Sequence, residues 1–209
     1  MCNLYSMTKG QQAIRDLARA TRDNAGNLPP LPAIFPDMMA PVVHSAEDGG
    51  RDLSMMRWGF PPPPKGNRPV TNVRNLDSPF WRGWLKREWR CVVPATSFCE
   101  WTDSRPKVTH WFALDESRPL FVFAGIWRVW TGERKGEQGA HRLFSILTTA
   151  ANDDVRPIHA KAMPVVLTGP EEIETWLMGT LDDAAALQRP LAQGRLRIVA
   201  TGPREDAAG

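Results

Sequence analysis

The chain has 209 residues, of which 42% are hydrophobic and 23% are charged, and its net charge is +3 at pH 7. These values are typical of a globular protein with one domain or two small ones, and they exclude mini-protein scaffolds, collagen-like chains, coiled coils and wholly disordered chains. No apolar run reaches the ~18 residues that a membrane span needs, and the first residues lack the features of a secretory signal. We therefore expect a soluble, cytoplasmic protein with no membrane partner.

The first 90 residues predict two helices and a few short strands. A helical pattern of apolar residues covers 8–22, with Thr8 as the expected cap. Prolines interrupt residues 28–41, so this stretch can hold only short extended pieces. Residues 51–60 predict a strand that runs into a stiff surface loop of four prolines at 61–64. Residues 80–90 predict a helix with an aromatic stripe beside a basic one.

The remainder of the chain predicts strands in succession. The expected strands cover 91–94, 97–102, 110–114, 120–130, 142–149, 165–167 and 196–200. Two short helices are expected at 171–178 and 182–191, and residues 201–209 are expected to form a disordered tail. Because few helices separate the strands, the pattern favours a single α+β domain over residues 1–200, built around a curved, barrel-like antiparallel sheet.

The side-chain inventory excludes several kinds of site. Three cysteines, Cys2, Cys91 and Cys99, have spacings that fit neither a disulfide framework nor a zinc cluster, so we expect no metal and no cofactor. The chain contains 20 Arg against 6 Lys, and nine Trp against one Tyr. Guanidinium groups suit phosphate contacts and Trp stacks on nucleobases, but codon bias and core packing account for these counts equally well.

Cys2 is the residue with the most distinctive chemistry. Removal of Met1 would leave a first residue with an α-amine and a β-thiol on neighbouring carbons. An α-amine has a pKa of about 7.7–8.0, so part of it is neutral and nucleophilic at cellular pH. With an aldehyde it forms an imine, and the thiol can then close a five-membered thiazolidine ring. The alternative is an inert, buried cysteine, which is a common role for this residue type.

Eight short segments carry a resemblance to a known family. They are MC at 1–2, RWGF at 57–60, NVR at 72–74, RCVVPA at 90–95, SFCEW at 97–101, AGIW at 124–127, SILTTA at 145–150, and IH at 158–159 followed by MP at 163–164. In this order and spacing, the set resembles the SOS response-associated peptidase family, or SRAP domain, over residues 1–178. The resemblance implies a DNA-repair protein that attaches covalently to abasic sites in single-stranded DNA, with peptidase-like or lyase-like chemistry.

The resemblance also implies a set of catalytic roles. Cys2, freed of Met1, would attack C1′ of the ring-opened sugar with its amine and close the ring with its thiol. Asn72 would orient the amine or the sugar. Glu100 would exchange protons during imine formation, which requires a raised pKa or a charged partner. His159 would act on the sugar oxygen, because its titration near neutral pH suits proton transfer.

A second set of residues is expected to bind DNA. Arg74 lies two residues from Asn72 and would share its strand face, where it can hold phosphate. Trp58 and Phe60 are candidates for stacking on bases beside the lesion, with core packing as the alternative. Thr148, Thr149 and Lys161 complete the set as further candidate phosphate contacts, although β-branched residues in a strand need no such explanation.

The sequence departs from the usual family pattern in four places. Leu4 stands where Arg is common, and Cys99 where Tyr is usual. Residues 75–77 differ from the segment that normally follows Arg74, and one extra residue separates His159 from Met163. None of these departures removes a proposed catalytic residue. We interpret Cys91, Cys99 and the other histidines, His44, His110 and His141, as structural.

Two other functions compete with this hypothesis. One is an N-terminal-nucleophile peptidase or amidase in which Cys2 attacks peptide carbonyls. The other is a noncovalent single-stranded DNA-binding module, which would bind undamaged strands and survive loss of Cys2. In either DNA-binding case we expect a monomer that associates with the nucleoid when DNA is bound.

Overall fold

A computed structural model describes residues 2–63 and 66–207. Part of the predicted proline loop, Pro64 and Lys65, lies outside the described residues, as do Met1, Ala208 and Gly209. The strands are β1 (Tyr5–Met7), β2 (Arg22–Asn24), β3 (Leu31–Ile34), β4 (Met39–Ser45), β5 (Arg51–Trp58), β6 (Asn72–Val73), β7 (Arg90–Ala95), β8 (Ser97–Trp101), β9 (Thr109–Ala113), β10 (Phe121–Arg134), β11 (Glu137–Thr149), β12 (Met163–Pro164), β13 (Val166–Leu167) and β14 (Arg197–Thr201). The helices are α1 (Gln11–Ala18), α2 (Pro79–Arg82), α3 (Pro170–Met178) and α4 (Leu181–Ala186).

Five strands close into a barrel, in the order β4, β5, β11, β10 and β7, with β7 pairing back to β4. Four of the five pairings are antiparallel. The fifth is a parallel pairing of β5 with β11, in which Leu143 lies opposite Arg57 and Phe144 opposite Trp58. This pairing closes the ring, so the predicted α+β domain with a barrel-like sheet is confirmed.

A second sheet of five antiparallel strands, in the order β14, β9, β8, β1 and β3, packs against the barrel. The rings of Tyr5 and Phe98 extend from this sheet to the barrel. Tyr5 meets Trp58 edge to face at 5.1 Å between ring centroids and Phe123 at 5.5 Å, while Phe98 meets Phe123 at 6.2 Å. Aromatic pairs of this geometry stabilise a core beyond their buried area. They fix the second sheet, and with it the N-terminal strand, against the barrel.

The predicted helix over 80–90 is wrong in extent. The chain there forms α2, followed by two 3₁₀ turns at Gly83–Leu85 and Arg87–Trp89. Lys86 between them adopts an extended conformation. The carbonyl of Leu85, which a continuous helix would pair with the N–H of Trp89, instead accepts a bond from the buried Arg90 guanidinium at 2.6 Å. The buried arginine therefore ends the helix.

Helix α1 also differs from its prediction, because it begins at Gln11, Gly10 is its N-cap, and no side chain caps it. Thr8, the expected cap, bonds instead to Thr96, with 3.3 Å between the two hydroxyl oxygens. At the other end of the chain, Asp206 is only 3% exposed and its carboxylate accepts two bonds from Arg118. Residues 203–207 thus lie against the second sheet, and the domain boundary at residue 200 stays a prediction. None of the described helices is long and apolar enough to cross a membrane.

Candidate functional site

Strand pairing places the N-terminus of the chain next to Glu100. In the antiparallel pair β1 and β8, Tyr5 lies opposite Phe98 and Ser6 opposite Ser97. The pairing continues beyond β1, because the N–H of Cys99 donates to the carbonyl of Leu4 at 2.9 Å. This register sets Asn3 opposite Glu100, one residue from Cys2. The antiparallel pairing of β1 with β8 thus brings residues 2 and 3 next to Glu100, although they are far apart in the sequence.

Asn72 anchors Cys2 from the opposite side. Strand β6 pairs with β11, with Asn72 opposite Ile146. The Asn72 amide donates to the carbonyl of Cys2 at 2.9 Å and to Oγ1 of Thr71 at 2.8 Å. Oγ1 of Thr71 in turn donates to Oδ1 of Asn3 at 3.1 Å. Residues 2 and 3 are thus held between β6 and β8. The sequence analysis predicted that Asn72 orients the amine or the sugar, but it did not predict the contact with the Cys2 backbone.

His159 reaches the same site from a turn that follows β11. The N–H of His159 donates to the carbonyl of Val155 at 2.9 Å, and Oδ1 of Asn152 accepts from the N–H of Val155 at 3.1 Å. This turn places Nδ1 of His159 3.9 Å from Oε2 of Glu100. A cleft of about 300 Å³ opens here, lined by Asn3, Glu100, Trp101, Asp103, Lys107 and His159.

Burial controls the protonation states in the cleft. Glu100 is 1% exposed, and burial raises the pKa of its carboxyl to about 7. Burial, followed by the nearby charge of Glu100, raises the pKa of the Cys2 thiol well above its ordinary value. Partial burial lowers the pKa of His159. Near neutral pH the site therefore holds a protonated thiol, a neutral imidazole and a carboxyl group that exchanges protons readily.

The predicted DNA-binding residues divide into exposed and buried groups. Arg74 and Lys161 are both exposed, and Nη1 of Arg74 donates to the carbonyl of Lys161. Strand β6 ends at Val73, so the expectation that Arg74 continues the strand face of Asn72 is wrong. Arg74 and Lys161 nevertheless lie together. Arg74 follows Asn72 by two residues, and Lys161 follows His159 by two residues.

Trp58, Thr148 and Thr149 are buried, and their contacts with DNA stay a prediction. Trp58 lies in the core, and its indole N–H donates to the carbonyl of Thr71 at 3.0 Å. Thr148 and Thr149 are 1% and 7% exposed and pair with β12. They lie on β11, which pairs with the strand that carries Asn72. Phe60 is 3% exposed and lines a groove separate from the cleft.

Other sequence expectations concern residues outside the cleft. Cys91 lies in the main core, while Cys99 packs with Leu4 and Trp111 in a small apolar cluster. Two departures from the family pattern, Leu4 and Cys99, therefore face each other across the strand pair. His44, His110 and His141 each contact a backbone carbonyl and lie outside the cleft, in agreement with a structural role. The described part of the chain holds no group of three or more residues that would ligate a metal.

Asn3, Thr71 and Lys107 are site residues that the sequence reasoning did not single out. Asn3 and Thr71 each adjoin a predicted catalytic residue, and this adjacency was the one available signal. Lys107 belongs to the loop between β8 and β9, and no motif surrounds it.

Comparison with known proteins finds a family model and several relatives that match the chain. A family model described as SOS response associated peptidase (SRAP) matches residues 1–202. "Abasic site processing protein YoaM" of Bacillus subtilis is 34% identical over 148 residues, covering 65% of this chain and 61% of that protein. "Abasic site processing protein HMCES" of Gallus gallus is 30% identical over 164 residues, covering 65% of this chain and 48% of that protein. The chain thus spans about half to three fifths of these relatives.

Two solved structures share the fold. A Bordetella bronchiseptica protein superposes with a TM-score of 0.73 at 22% identity, covering 96% of this chain and 98% of the other. A Bacteroides thetaiotaomicron protein superposes with a TM-score of 0.71 at 24% identity, covering 94% of this chain and 90% of the other. At these identities the likeness concerns the fold alone.

Proposed function

Because the chain belongs to the SOS response associated peptidase family, we propose that it captures abasic sites in single-stranded DNA as a covalent adduct of Cys2, formed once Met1 has been removed. The observation that carries the proposal is the Asn72 amide bound to the Cys2 carbonyl at 2.9 Å, with Glu100 across the strand pair. This arrangement holds the first residues of the mature chain beside a group that exchanges protons near pH 7. The names of the YoaM and HMCES relatives support abasic sites as the substrate.

Removal of Met1 is the step that creates the nucleophile. While Met1 is present, the nitrogen of Cys2 is an amide, which is not nucleophilic. Hydrolysis of the Met1–Cys2 bond frees an α-amine with a pKa of about 7.7–8.0, far lower than the value of about 10.4 for a lysine side chain. The buried Cys2 thiol stays protonated near neutral pH, so the amine attacks first and the thiol second.

The covalent chemistry balances with one molecule of water released. The amine of Cys2 adds to the C1′ aldehyde of the ring-opened sugar and gives a carbinolamine. Protonated Glu100 delivers a proton to the carbinolamine hydroxyl, which leaves as water, and the Glu100 carboxylate takes back the proton from the nitrogen as the imine forms. The thiol sulfur then bonds to the imine carbon, and the thiol proton moves to the imine nitrogen, which becomes an amine. The product is a thiazolidine that links the protein to DNA.

His159 acts on the sugar before this sequence begins. An abasic sugar exists largely as a closed hemiacetal, and opening it moves a proton from the C1′ hydroxyl to the ring oxygen. Partial burial lowers the pKa of His159, so its imidazole is neutral near pH 7 and can accept the hydroxyl proton. Arg74 and Lys161, both exposed beside the site, would hold the flanking phosphates.

The intact mass of the purified protein, before and after mixing with abasic single-stranded DNA, tests the proposal. We expect a mass without Met1, and after mixing a species heavier by the oligonucleotide less one water. An undamaged strand and an abasic analogue without an aldehyde are the controls and should leave the mass unchanged. Retained Met1 in protein that forms the adduct, or no adduct in protein that lacks Met1, would contradict the mechanism. Turnover of added peptides without an adduct would favour a peptidase.

A further inference from the structure

A chain of hydrogen bonds joins the backbone of Cys2 to the side chain of Asn3. The amide of Asn72 donates to the carbonyl of Cys2 at 2.9 Å and to Oγ1 of Thr71 at 2.8 Å. Because a backbone carbonyl only accepts, the Asn72 atom that faces it is Nδ2, and these two contacts use both hydrogens of that nitrogen. Oγ1 of Thr71 therefore accepts from Asn72 and has its own hydrogen left to donate.

The direction of this chain fixes the orientation of the Asn3 amide. The hydroxyl of Thr71 donates to the Asn3 side chain at 3.1 Å, and Nδ2 of Asn72 lies 3.5 Å from the same Asn3 atom. Since two donors face this atom, it is the acceptor Oδ1 and not the amide nitrogen. Nδ2 of Asn3 is then the part of the amide left for the cleft that Asn3 lines. Among the residues that the structure describes, none accepts a hydrogen bond from this nitrogen.

Asn3 lies beside the atoms that react in the proposed mechanism. It is half-buried and lies opposite Glu100 in the register of β1 and β8, and the Cβ atoms of such a pair are about 5 Å apart. Its Cα is one peptide unit, ~3.8 Å, from that of Cys2. In the proposed adduct, C1′ of the sugar is bonded to the nitrogen of Cys2. An oxygen on C1′ that faces Glu100 is therefore within reach of the Asn3 amide.

We infer that Asn3 is a further catalytic residue, whose side-chain amide donates a hydrogen bond to the C1′ oxygen of the ring-opened abasic sugar, and that Thr71 is the positioning residue that orients it. The inference rests on the proposed function. As the amine of Cys2 adds to C1′, an electron pair of the carbonyl bond moves to the oxygen, and a donor already in place stabilises the developing charge. The Asn3 amide forms and breaks no covalent bond and keeps both hydrogens. The oxygen takes its first proton from the amine and its second from Glu100.

The chemistry of the amide favours this role over two others. A phosphate contact is better served by the exposed cations Arg74 and Lys161 than by a neutral, half-buried amide. A purely structural asparagine would use both ends of its amide, whereas the contacts of Asn3 with Thr71 and Asn72 involve Oδ1 alone. The two N–H groups that remain are suited to an oxygen that becomes more negative during the reaction.

Crosslinking at saturating abasic DNA, measured beside equilibrium binding of a tetrahydrofuran analogue that has no oxygen on C1′, tests the role of Asn3. Asn3→Ala should crosslink more slowly by on the order of 10²-fold, while its affinity for the analogue stays within twofold of wild type. Asn3→Asp keeps Oδ1 but has no N–H group, and it should be at least as slow. Asn24→Ala, which changes an exposed asparagine on β2, is the matched control and should alter neither quantity. Rates are compared for proteins whose intact mass shows that Met1 is absent.

A double-mutant cycle tests whether Thr71 acts through Asn3. Thr71→Val keeps the shape of the buried side chain but lacks the hydroxyl, and it should slow crosslinking by about tenfold. Thr71→Ser, which keeps the hydroxyl, should restore most of the rate. In the Asn3→Ala background, Thr71→Val should cause almost no further loss, because the amide that Thr71 orients is already absent.

The outcomes separate this inference from the proposed function. A rate for Asn3→Ala within twofold of wild type, or a loss of analogue affinity as large as the loss of rate, would overturn the assignment of Asn3. Losses that multiply in the double variant would overturn the role of Thr71. If wild-type protein that lacks Met1 formed no adduct with any abasic strand, the proposed function would be refuted, and the assignment of Asn3 with it.

Discussion

Ionisation of the buried Glu100 carboxyl lowers the stability of the folded protein. Its folded-state pKa of about 7 lies above the ordinary value of 4.5, because burial disfavours the ionised carboxylate. The unfolded chain therefore releases this proton at lower pH than the folded chain. The contribution of Glu100 to stability is fully present below pH 4.5 and is lost as the pH rises through about 7. The full difference corresponds to about 3 kcal/mol of free energy.

Replacement of Glu100 by Gln should therefore raise the stability of the protein at pH 8.5 relative to wild type, by up to about 3 kcal/mol. At pH 4 to 5, where Glu100 is protonated, the two proteins should differ little. Denaturant titrations at both pH values measure the effect, with Asp103→Asn, an exposed carboxylate of the same cleft, as the control. A loss of stability in Glu100→Gln at pH 8.5 that is absent at pH 4 to 5 would show instead that Glu100 is held by contacts that require its charge.

In the proposed mechanism, the thiol of Cys2 determines how long the adduct lasts. Cys2→Ser keeps the α-amine but lacks the sulfur that closes the thiazolidine, so its product with abasic DNA should remain an imine. We expect the serine adduct to disappear on treatment with hydroxylamine, while the wild-type adduct persists, as followed by denaturing gel electrophoresis. Cys99→Ser, which changes a buried thiol outside the cleft, should behave as wild type. An equally stable adduct in Cys2→Ser would mean that the ring is not the product.

At the scale of elements, the sequence predicted most of the long strands, but of the strands with two or three residues it predicted only β13. The sequence predicted strands over most of β5, β7 to β11 and β14, because their runs of β-branched and aromatic residues are long. Strands β1, β2, β6 and β12 have two or three residues each, too few for a period to appear. These short strands exist because long neighbours act as templates, and β1 and β6 happen to carry the site. No local sequence pattern predicts the pairing of β5 with β11 that closes the barrel either.

The C-terminal segment shows a similar long-range effect. Asp206 accepts bonds from Arg118 at 2.9 and 2.8 Å and from Ser97 at 2.6 Å, and its carbonyl accepts from Ser6 at 2.9 Å. It thereby connects the first residues of β8 with β1. Composition alone predicts a frayed tail, since residues 204–209 contain no large apolar side chain. The backbone of the segment is held as well, since the carbonyl of Pro203 accepts bonds from the side chains of Thr109 and Trp111.

Asp206→Ala should destabilise the protein by about 3–5 kcal/mol, because the Arg118 guanidinium would be left buried without its partner. Arg118 is 10% exposed in its side chain and Asp206 3%. Thermal and denaturant unfolding would measure the loss, and the neighbouring exposed Glu205→Ala is the control. If a chain that ends at residue 200 were as stable as the full chain, the tail would contribute nothing.

At the scale of the whole molecule, the sequence singled out four candidate catalytic residues but not the residues that hold them in place. Cys2, Asn72, Glu100 and His159 were proposed from family motifs, and the fold brings them to one site. The sequence left two roles open for Trp58, because an aromatic residue in a motif is as suited to a core as to a base, and the structure buries it in the core.

The proposed function assigns DNA binding and proton transfer to different residues, and this division can be measured. Arg74 is exposed at the edge of the site, whereas Glu100 is 1% exposed. Arg74→Ala should weaken binding and reduce its salt dependence by about 0.7 in the log–log slope, and saturating DNA should restore most of the crosslinking rate. Arg195→Ala, an exposed arginine away from the cleft, is the control.

Glu100→Gln and His159→Ala should show the opposite behaviour. Both variants should bind an abasic analogue without an aldehyde almost as well as wild type, because neither side chain is expected to hold phosphate. Both should crosslink more slowly, by on the order of 10²-fold, because each loses a proton-transfer group. In Glu100→Gln the change of rate with a midpoint near pH 7 should also disappear, since burial raises the pKa of this carboxyl to about 7, and the change caused by the α-amine at about pH 7.7–8.0 should remain. Single-turnover crosslinking at saturating DNA, measured across pH, is the decisive experiment. A Glu100→Gln rate equal to wild type, or a defect that vanishes at high DNA concentration, would assign proton transfer to another group.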